Sequence, residues 1–237
     1  MDRQPTEGGP TMTTPTLERD TEALLDQPLY SYGLVDRMLG LNPGTAKRWL
    51  EGYARGGRNY EPVLRVGPTD SPHVTWGEFV ETRLLAEYRA AGVPLVRLRP
   101  AVEVLRDHLG PYPLAKASTW LTAENRELVW TAQHGVEPQL WFVVRSGQLL
   151  LTSKQVETFR SVTEFDGDVA SAIHLAGPAS AVLADPARSF GKPSIHGIRI
   201  EVIAEEVAAG TPAVEVANMW PSLSVDDVEQ AVRFAAA

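Results

Sequence analysis

Three side chains in one short stretch have the chemistry to read a polyanion. Thr45, Lys47 and Arg48 stand among Ala46, Trp49, Leu50 and Tyr53. The apolar four recur at spacings of three and four, which predicts a helix over 43–53 with one buried face. The remaining face then projects a hydroxyl, an ammonium and a guanidinium, groups that reach base edges and phosphates when a helix lies in the major groove. Arg55 and Arg58 follow at once and could hold the DNA backbone. Taken singly, Lys47 and Arg48 read as solvated helix-surface charges. Their setting is what favours DNA.

That setting is a pair of short helices. Leu34, Val35, Met38 and Leu39 give residues 33–39 one apolar face, and Gly40 stops the helix. Asn42 is expected to cap the second helix, with Pro43 at its first position. The second helix is expected to run to Tyr53, which it buries, and Gly56-Gly57 closes it. Helix, turn of about four residues and helix make a helix-turn-helix unit. A strand over 63–66, a turn over 67–72 and a returning strand over 73–75 would form its wing. Tyr32 has two open roles, a phosphate contact at the start of the first helix or simple packing. Thr75 precedes a helix expected over 76–91, and another is expected over 94–109, where Pro100 predicts a kink or a break.

Charge separates the regions. The chain has 237 residues and a formal net charge of −8, which excludes a uniformly basic coat but not a local patch. Residues 1–27 carry six acids against Arg3 and Arg19 and read as a flexible acidic tail, with a short helix over 17–25. Residues 28–60 reverse the sign, with Arg37, Lys47, Arg48, Arg55 and Arg58 against Asp36 and Glu51, a net +3. Residues 185–237 return to eight acids against Arg188, Lys192, Arg199 and Arg233. That acidic, partly apolar surface suits protein pairing better than DNA.

Between these regions, strands are expected over 120–122, 128–132, 140–144 and 149–152, then a helix over 154–165 and a strand start at Val169. Asp166 and Asp168 flank Gly167 as a turn. The C-terminal region predicts strand pieces around His196-Gly197, then helices over 203–209, 212–219 and 225–235. Thr211 is expected to cap the second of these and Ser224 the third.

Enzyme readings find little purchase. There are no cysteines, which removes disulfides, thiolate metal sites and cysteine nucleophiles together. His73, His108, His134, His174 and His196 are scattered without metal-ligand spacing. No phosphate-binding glycine loop or nucleophile elbow is present. No metal or cofactor is expected, and a hydrolase stands only as the cross-class alternative. No signal segment opens the chain, and no apolar run approaches the ~18 residues of a membrane helix. A cytoplasmic protein without membrane contact is expected.

Two resemblances add to this. Tyr32, Val35, Leu39-Gly40-Leu41, Asn42-Pro43, Thr45 and Arg48-Trp49, with Gly92-Val93-Pro94-Leu95 beyond, resemble the MerR family of transcription regulators over residues 30–109. The family's long dimerising coiled coil and cysteine metal sensor are missing, so metal sensing is not expected. In the C-terminal region come Asp185-Pro186, Gly191-Lys192-Pro193, Ile195-His196-Gly197, Gly210-Thr211-Pro212, Trp220-Pro221, Leu223-Ser224 and Asp226-Asp227-Val228. Their order is similar to a small bacterial domain of unknown function that recurs in toxin–antitoxin operons. Ile198 stands where that domain usually has threonine, and Phe190 where it often has glycine. The two in this order resemble an antitoxin of the VapB type. The resemblance implies a PIN-domain ribonuclease as partner, operator DNA as ligand and autorepression. Arg188, Lys192 and Arg233 are the guesses for cations that would meet the toxin's carboxylates, against a plain surface role.

The expected architecture is α+β. It comprises the tail 1–27, a MerR-like winged helix-turn-helix domain 28–110, a strand-containing middle 111–184 and a three-helix domain 185–237. A homodimer is expected, because symmetric operators need paired readers. A stand-alone regulator without a toxin is the alternative.

Overall fold

The computed structural model describes residues 21–90, 92–116 and 154–236. The strands expected over 120–122, 128–132, 140–144 and 149–152 lie outside the described residues. So does most of the acidic tail, of which helix α1 (Thr21–Leu25) is described.

The N-terminal elements follow in quick succession: strand β1 (Pro28–Ser31), helices α2 (Tyr32–Met38) and α3 (Thr45–Glu51), and strands β2 (Tyr53–Arg55), β3 (Arg58–Tyr60) and β4 (His73–Thr75). The long helices α4 (Trp76–Ala90) and α5 (Leu95–Leu109) cover them. Helix α4 starts on a reciprocal cap. The Glu78 N–H donates to Thr75 Oγ1 at 3.2 Å, and Glu78 Oε2 accepts from the Thr75 N–H at 2.9 Å. Helix α5 runs unbroken through Pro100, its sixth residue.

Aromatic side chains build the centre. Trp76, Phe79 and Tyr30 are almost wholly buried, with ring centroids 5.5 and 4.8 Å apart. Each buried ring contributes about 1.5–3 kcal/mol. The core does not stop at α5. Helix α6 (Lys154–Ser161) ends earlier than the sequence pattern suggests, because Thr163–Asp166 turns into strand β5. Phe159 of α6 and Ala170 and Ile173 of strand β6 (Val169–His174) join the same apolar cluster as α4. The Trp76 indole N–H donates to the Ala170 carbonyl at 2.7 Å and fixes that packing.

One antiparallel sheet carries the chain into the C-terminal region. Its order is β5-β6-β7-β8-β9, with β7 (Leu183–Ala184), β8 (Ser194–Ile195) and β9 (Ile198–Arg199). Helices α7 (Ile200–Ala208), α8 (Ala213–Met219) and α9 (Val225–Ala235) close a second apolar cluster around Ile195, Ile203, Val216 and Val228. The protein is thus mixed helix and strand, with a helical C-terminal region. Helix α9 has the expected Ser224 cap, completed by Asp227 as a capping box. Helix α8 is entered from Pro212 rather than from Thr211. None of the described helices is long and apolar enough to cross a membrane.

Candidate nucleic-acid interface

Helix α2 begins at Ser31, whose Oγ accepts the Leu34 N–H at 3.3 Å, and buries Val35 and Met38. It also buries Asp36, and here the structure corrects the sequence reading. The cap of α3 is not Asn42 but Asp36. Its Oδ2 accepts the Gly44 N–H at 2.6 Å and its Oδ1 the Ala46 N–H at 2.8 Å. A carboxylate at a helix start satisfies orphan N–H groups and complements the helix dipole. It also bolts the two helices together, which a cap drawn from the turn could not do. Asn42 contributes only its carbonyl, to the Thr45 N–H, and its side chain is exposed. Helix α3 starts at Thr45 rather than Pro43, after Gly44 in a left-handed conformation.

Ala46, Trp49 and Leu50 are buried, as their spacing predicts, while Lys47 and Arg48 are exposed on the opposite face. The Arg48 guanidinium donates to Thr45 Oγ1 at 2.8 Å, so the exposed guanidinium and the half-buried hydroxyl are held side by side. Tyr53 is not part of the helix. Gly52, at φ +75°, ends α3 against the Tyr60 backbone, where a Cβ would overlap the Tyr60 carbonyl.

The wing is also not where the sequence pattern put it. Strands β2 and β3 form a tight hairpin with Arg55 opposite Arg58. Gly56 and Gly57 turn it at φ +58° and +71°, the signature of a type I′ turn. Tyr53 and Tyr60 stack at 4.6 Å and 9° on its surface, each more than a third exposed. Residues 63–66 are irregular. The Val63 and Leu64 N–H groups go to the Trp49 carbonyl, and Arg99 and Arg106 of α5 take the carbonyls of Glu61, Pro62 and Leu64. That leaves no strand edge, and β4 pairs with β1 instead.

Arg65, which the sequence reading passed over, holds this assembly. Its side chain is 8% exposed. It binds Glu78 with two nitrogens, at 2.6 and 2.9 Å, and also pairs with Glu51 at the end of α3. The Tyr32 hydroxyl joins at 3.0 Å from Arg65 and 2.7 Å from Glu51 Oε1. Here the Tyr32 hydroxyl is engaged by protein partners, the Ser71 carbonyl among them at 2.7 Å. Burial, and then the carboxylates around it, keep the hydroxyl protonated against the pull of Arg65.

Lys47, Arg48, Arg55 and Arg58 make no ion pair among the described residues, and all four are exposed. Arg188, Lys192 and Arg233 each have a carboxylate partner: Asp185 at 3.4 Å, Glu201 at 3.7 Å and Glu229 at 3.5 Å. No group of three or more metal-ligating side chains occurs among the described residues.

Comparison with known proteins assigns both ends. Residues 28–102 match the family described as "Putative DNA-binding HTH domain". Residues 182–235 match the "Protein of unknown function (DUF433)" family. Over most of its length the chain is similar to two Mycobacterium tuberculosis proteins. "Uncharacterized protein Rv2308" is 36% identical over 220 residues, 90% of this chain and 92% of that one. "Putative antitoxin VapB45" is 29% identical over 222 residues, 85% and 91% of the two chains. The crystal structure of Rv2018 from the same organism shares the fold, with a TM-score of 0.66 at 24% identity over 88% of this chain and 98% of that one. The two ends, a match to a helix-turn-helix DNA-binding domain and a match to a family of unknown function, therefore sit in one continuous relationship, and the chain belongs to the same family as the mycobacterial protein Rv2308.

Proposed function

We propose that this protein is an antitoxin of the VapB type that represses its own operon. In this reading a homodimer binds operator DNA through a MerR-like winged helix-turn-helix. Helix α3 lies in the major groove with Thr45, Lys47 and Arg48 toward the bases and phosphates. The hairpin tip sets Arg55 and Arg58 against the flanking backbone. Asn42 faces the same side, and Tyr32 acts behind the surface by holding Glu51 and Arg65. The remaining surface neutralises a PIN-domain ribonuclease. The observation that carries the DNA half is the set of four exposed cations without carboxylate partners, two on a helix capped from its neighbour by Asp36 and two at the tip of the hairpin that follows it. Similarity to "Putative antitoxin VapB45", 29% identical, supports the antitoxin half.

The test is a titration of operator DNA at several salt concentrations. Lys47→Ala with Arg48→Ala is expected to weaken binding and to lower the slope of log K against log[salt] by about 2 per subunit, near 0.9 for each lost phosphate contact. An unchanged slope refutes the assignment. The toxin half is tested separately, by co-expression with the neighbouring reading frame. Rescue of growth supports it, and a neighbour without ribonuclease activity refutes it.

One observation favours the second reading, a stand-alone regulator. Arg188, Lys192 and Arg233 already have partners within the chain, so meeting a toxin's carboxylates through them would require breaking those pairs. Under that reading the DNA result stands and the co-expression result is negative.

A further inference from the structure

The hairpin of β2 and β3 is solvated on both faces: every residue from Tyr53 to Tyr60 is exposed. A lone two-stranded hairpin is at best marginally stable in water, so this one carries its own braces. The Gly56-Gly57 turn is one, and the stacked pair of Tyr53 and Tyr60 is the other. Two phenyl rings would stack as well. The brace therefore leaves the two hydroxyls unexplained, and neither makes a hydrogen bond among the described residues.

The register sorts the side chains by face. Directly opposed residues share a face, and neighbours along a strand alternate. Tyr53 is opposite Tyr60 and Arg55 is opposite Arg58, so these four lie on one side, with Ala54 and Asn59 on the other. One face thus carries two phenol hydroxyls and two guanidiniums, with no acid among them. Neither guanidinium has a carboxylate partner among the described residues. The acids that border the hairpin in sequence do not cancel this face: Glu51 is taken up by Arg65, and Glu61 follows the last ladder pair.

Position selects the partner. A single residue, Gly52, joins the hairpin to α3, and it is pressed against the Tyr60 backbone, so helix and hairpin form one rigid piece. With the N-terminal part of α3 toward the base edges, its other end lies at the edge of the groove, where the sugar–phosphate chain runs. Phosphate oxygens accept hydrogen bonds from tyrosine hydroxyls as well as from guanidiniums, and such contacts position a protein without reading sequence.

We propose that Tyr53 and Tyr60 are DNA-contact residues: the hairpin lays this face on the sugar–phosphate backbone beside the major groove, and the two hydroxyls donate to phosphate oxygens while their stacked rings hold Arg55 and Arg58 alongside. The proposal rests on the DNA reading above and adds to it an uncharged contact. Tyr53→Phe with Tyr60→Phe removes the hydroxyls and keeps the stack. Titrated against a mixed-sequence duplex at several salt concentrations, the double variant is expected to bind about tenfold more weakly than wild type, with its melting temperature unchanged. The slope of log K against log[salt] is expected to stay at the wild-type value, because a neutral hydroxyl releases no counterion. Asn59→Ala, on the opposite face, is expected to alter neither affinity nor slope. A wild-type chain that binds no duplex overturns the DNA reading and this contact with it. A wild-type chain that binds while the double variant matches it overturns the contact alone. So does a loss of affinity that comes with a lower melting temperature, which makes the hydroxyls a brace, or with a lower salt slope, which means that they act only by placing the arginines. An equal loss in Asn59→Ala overturns the choice of face, and tighter binding of wild type to a single strand than to the duplex gives the rings to unpaired bases and overturns the proposal likewise.

Discussion

The helix-turn-helix region and the C-terminal helical region use the same charged residue types in opposite ways. In the first, an arginine is buried as a structural bolt: Arg65 joins the end of α3 to the start of α4 through Glu51 and Glu78. The cations at its surface are then left without carboxylate partners. In the second, no cation is buried among the described residues; three of the four, Arg188, Lys192 and Arg233, lie at the surface beside their own acids, and Arg199 alone is exposed without an ion pair among the described residues. The difference teaches where each region can meet a polyanion. Surface cations already neutralised by carboxylates gain little from phosphate, whereas unneutralised ones release counterions when they bind it.

The sharpest way to break this comparison is to remove the bolt. Arg65→Met leaves two buried carboxylates facing each other, and stripping one partner from a buried charge cluster costs about 3–5 kcal/mol. Urea unfolding is expected to show a loss of that size, with DNA affinity falling alongside because α3 loses its anchor. A loss below about 1 kcal/mol would show that Glu51 and Glu78 relax into water.

Acid and base separate the two regions next. Glu81 of α4 is fully buried, accepts the Leu114 N–H at 3.1 Å, and has its other carboxyl oxygen without a hydrogen bond. Burial pushes its carboxyl up to about 8, with the Leu114 N–H and Arg106 opposing only in part. Between the ordinary value of 4.5 and 8, the unfolded chain ionises this group while the folded chain keeps it protonated, so stability falls as pH rises. Glu81→Gln is expected to remove that slope and to gain roughly 3 kcal/mol over wild type at pH 7, with little difference at pH 4. Asp227 behaves in the reverse sense. Burial works against its ionisation, but the Ser224 N–H and hydroxyl and the nearby His196 outweigh it and hold the carboxyl below its ordinary value. Its contribution is present above that ordinary value and is lost on acidification. Thermal melts of Asp227→Asn across acid pH are therefore expected to show a deficit at neutral pH that closes as the pH falls.

The cap of α3 is the next step down. Asp36→Ala leaves the N–H groups of Gly44 and Ala46 unpaired beneath the turn. The expected loss is about 2 kcal/mol, at the upper end for a helix cap because the site is buried. Asp36→Asn is expected to recover part of it. An Asn42→Ala change that destabilises more than Asp36→Ala would return the cap to the turn.

How much of this was legible in the sequence follows the range of the interactions. The buried face Ala46, Trp49, Leu50 and the exposed pair Lys47 and Arg48 were legible, because both depend only on helical spacing. So was the Ser224 cap, whose partner Asp227 lies three residues away. The Asp36 cap was not, because it reaches from one helix to the start of the next across eight to ten residues. The wing was misread for a subtler reason. Tyr53-Ala54-Arg55-Gly56-Gly57-Arg58-Asn59-Tyr60 is nearly symmetric about its glycines, which is itself a hairpin signal. Reading Gly56-Gly57 as the end of a helix hid it. Residues 63–66 have the apolar make-up of a strand, but Arg106, more than thirty residues on, takes the Leu64 carbonyl, and Arg99 takes those of Glu61 and Pro62 just before. Arg65 was invisible for the same reason, since nothing near it in sequence marks it as buried.

The smallest effect closes the comparison from the other side. Arg233 of α9 lies near Glu229 and Asp226, its side chain 63% exposed, and Arg188 is 61% exposed beside Asp185. Exposed pairs of this kind contribute between about 0 and 1 kcal/mol, because water screens the attraction and holding two flexible side chains together costs entropy. Arg188→Ala with Arg233→Ala is therefore expected to shift unfolding by no more than about 1 kcal/mol and to leave the salt slope of operator binding unchanged. Measured in the same titration as the α3 variants, that flat response is the informative half. A slope that drops for the C-terminal variants as it does for Lys47→Ala with Arg48→Ala would mean that phosphate can displace Asp185 and Glu229 from their partners. Local pairing would then not decide which surface meets DNA, and the contrast between the two regions would reduce to a difference in net charge.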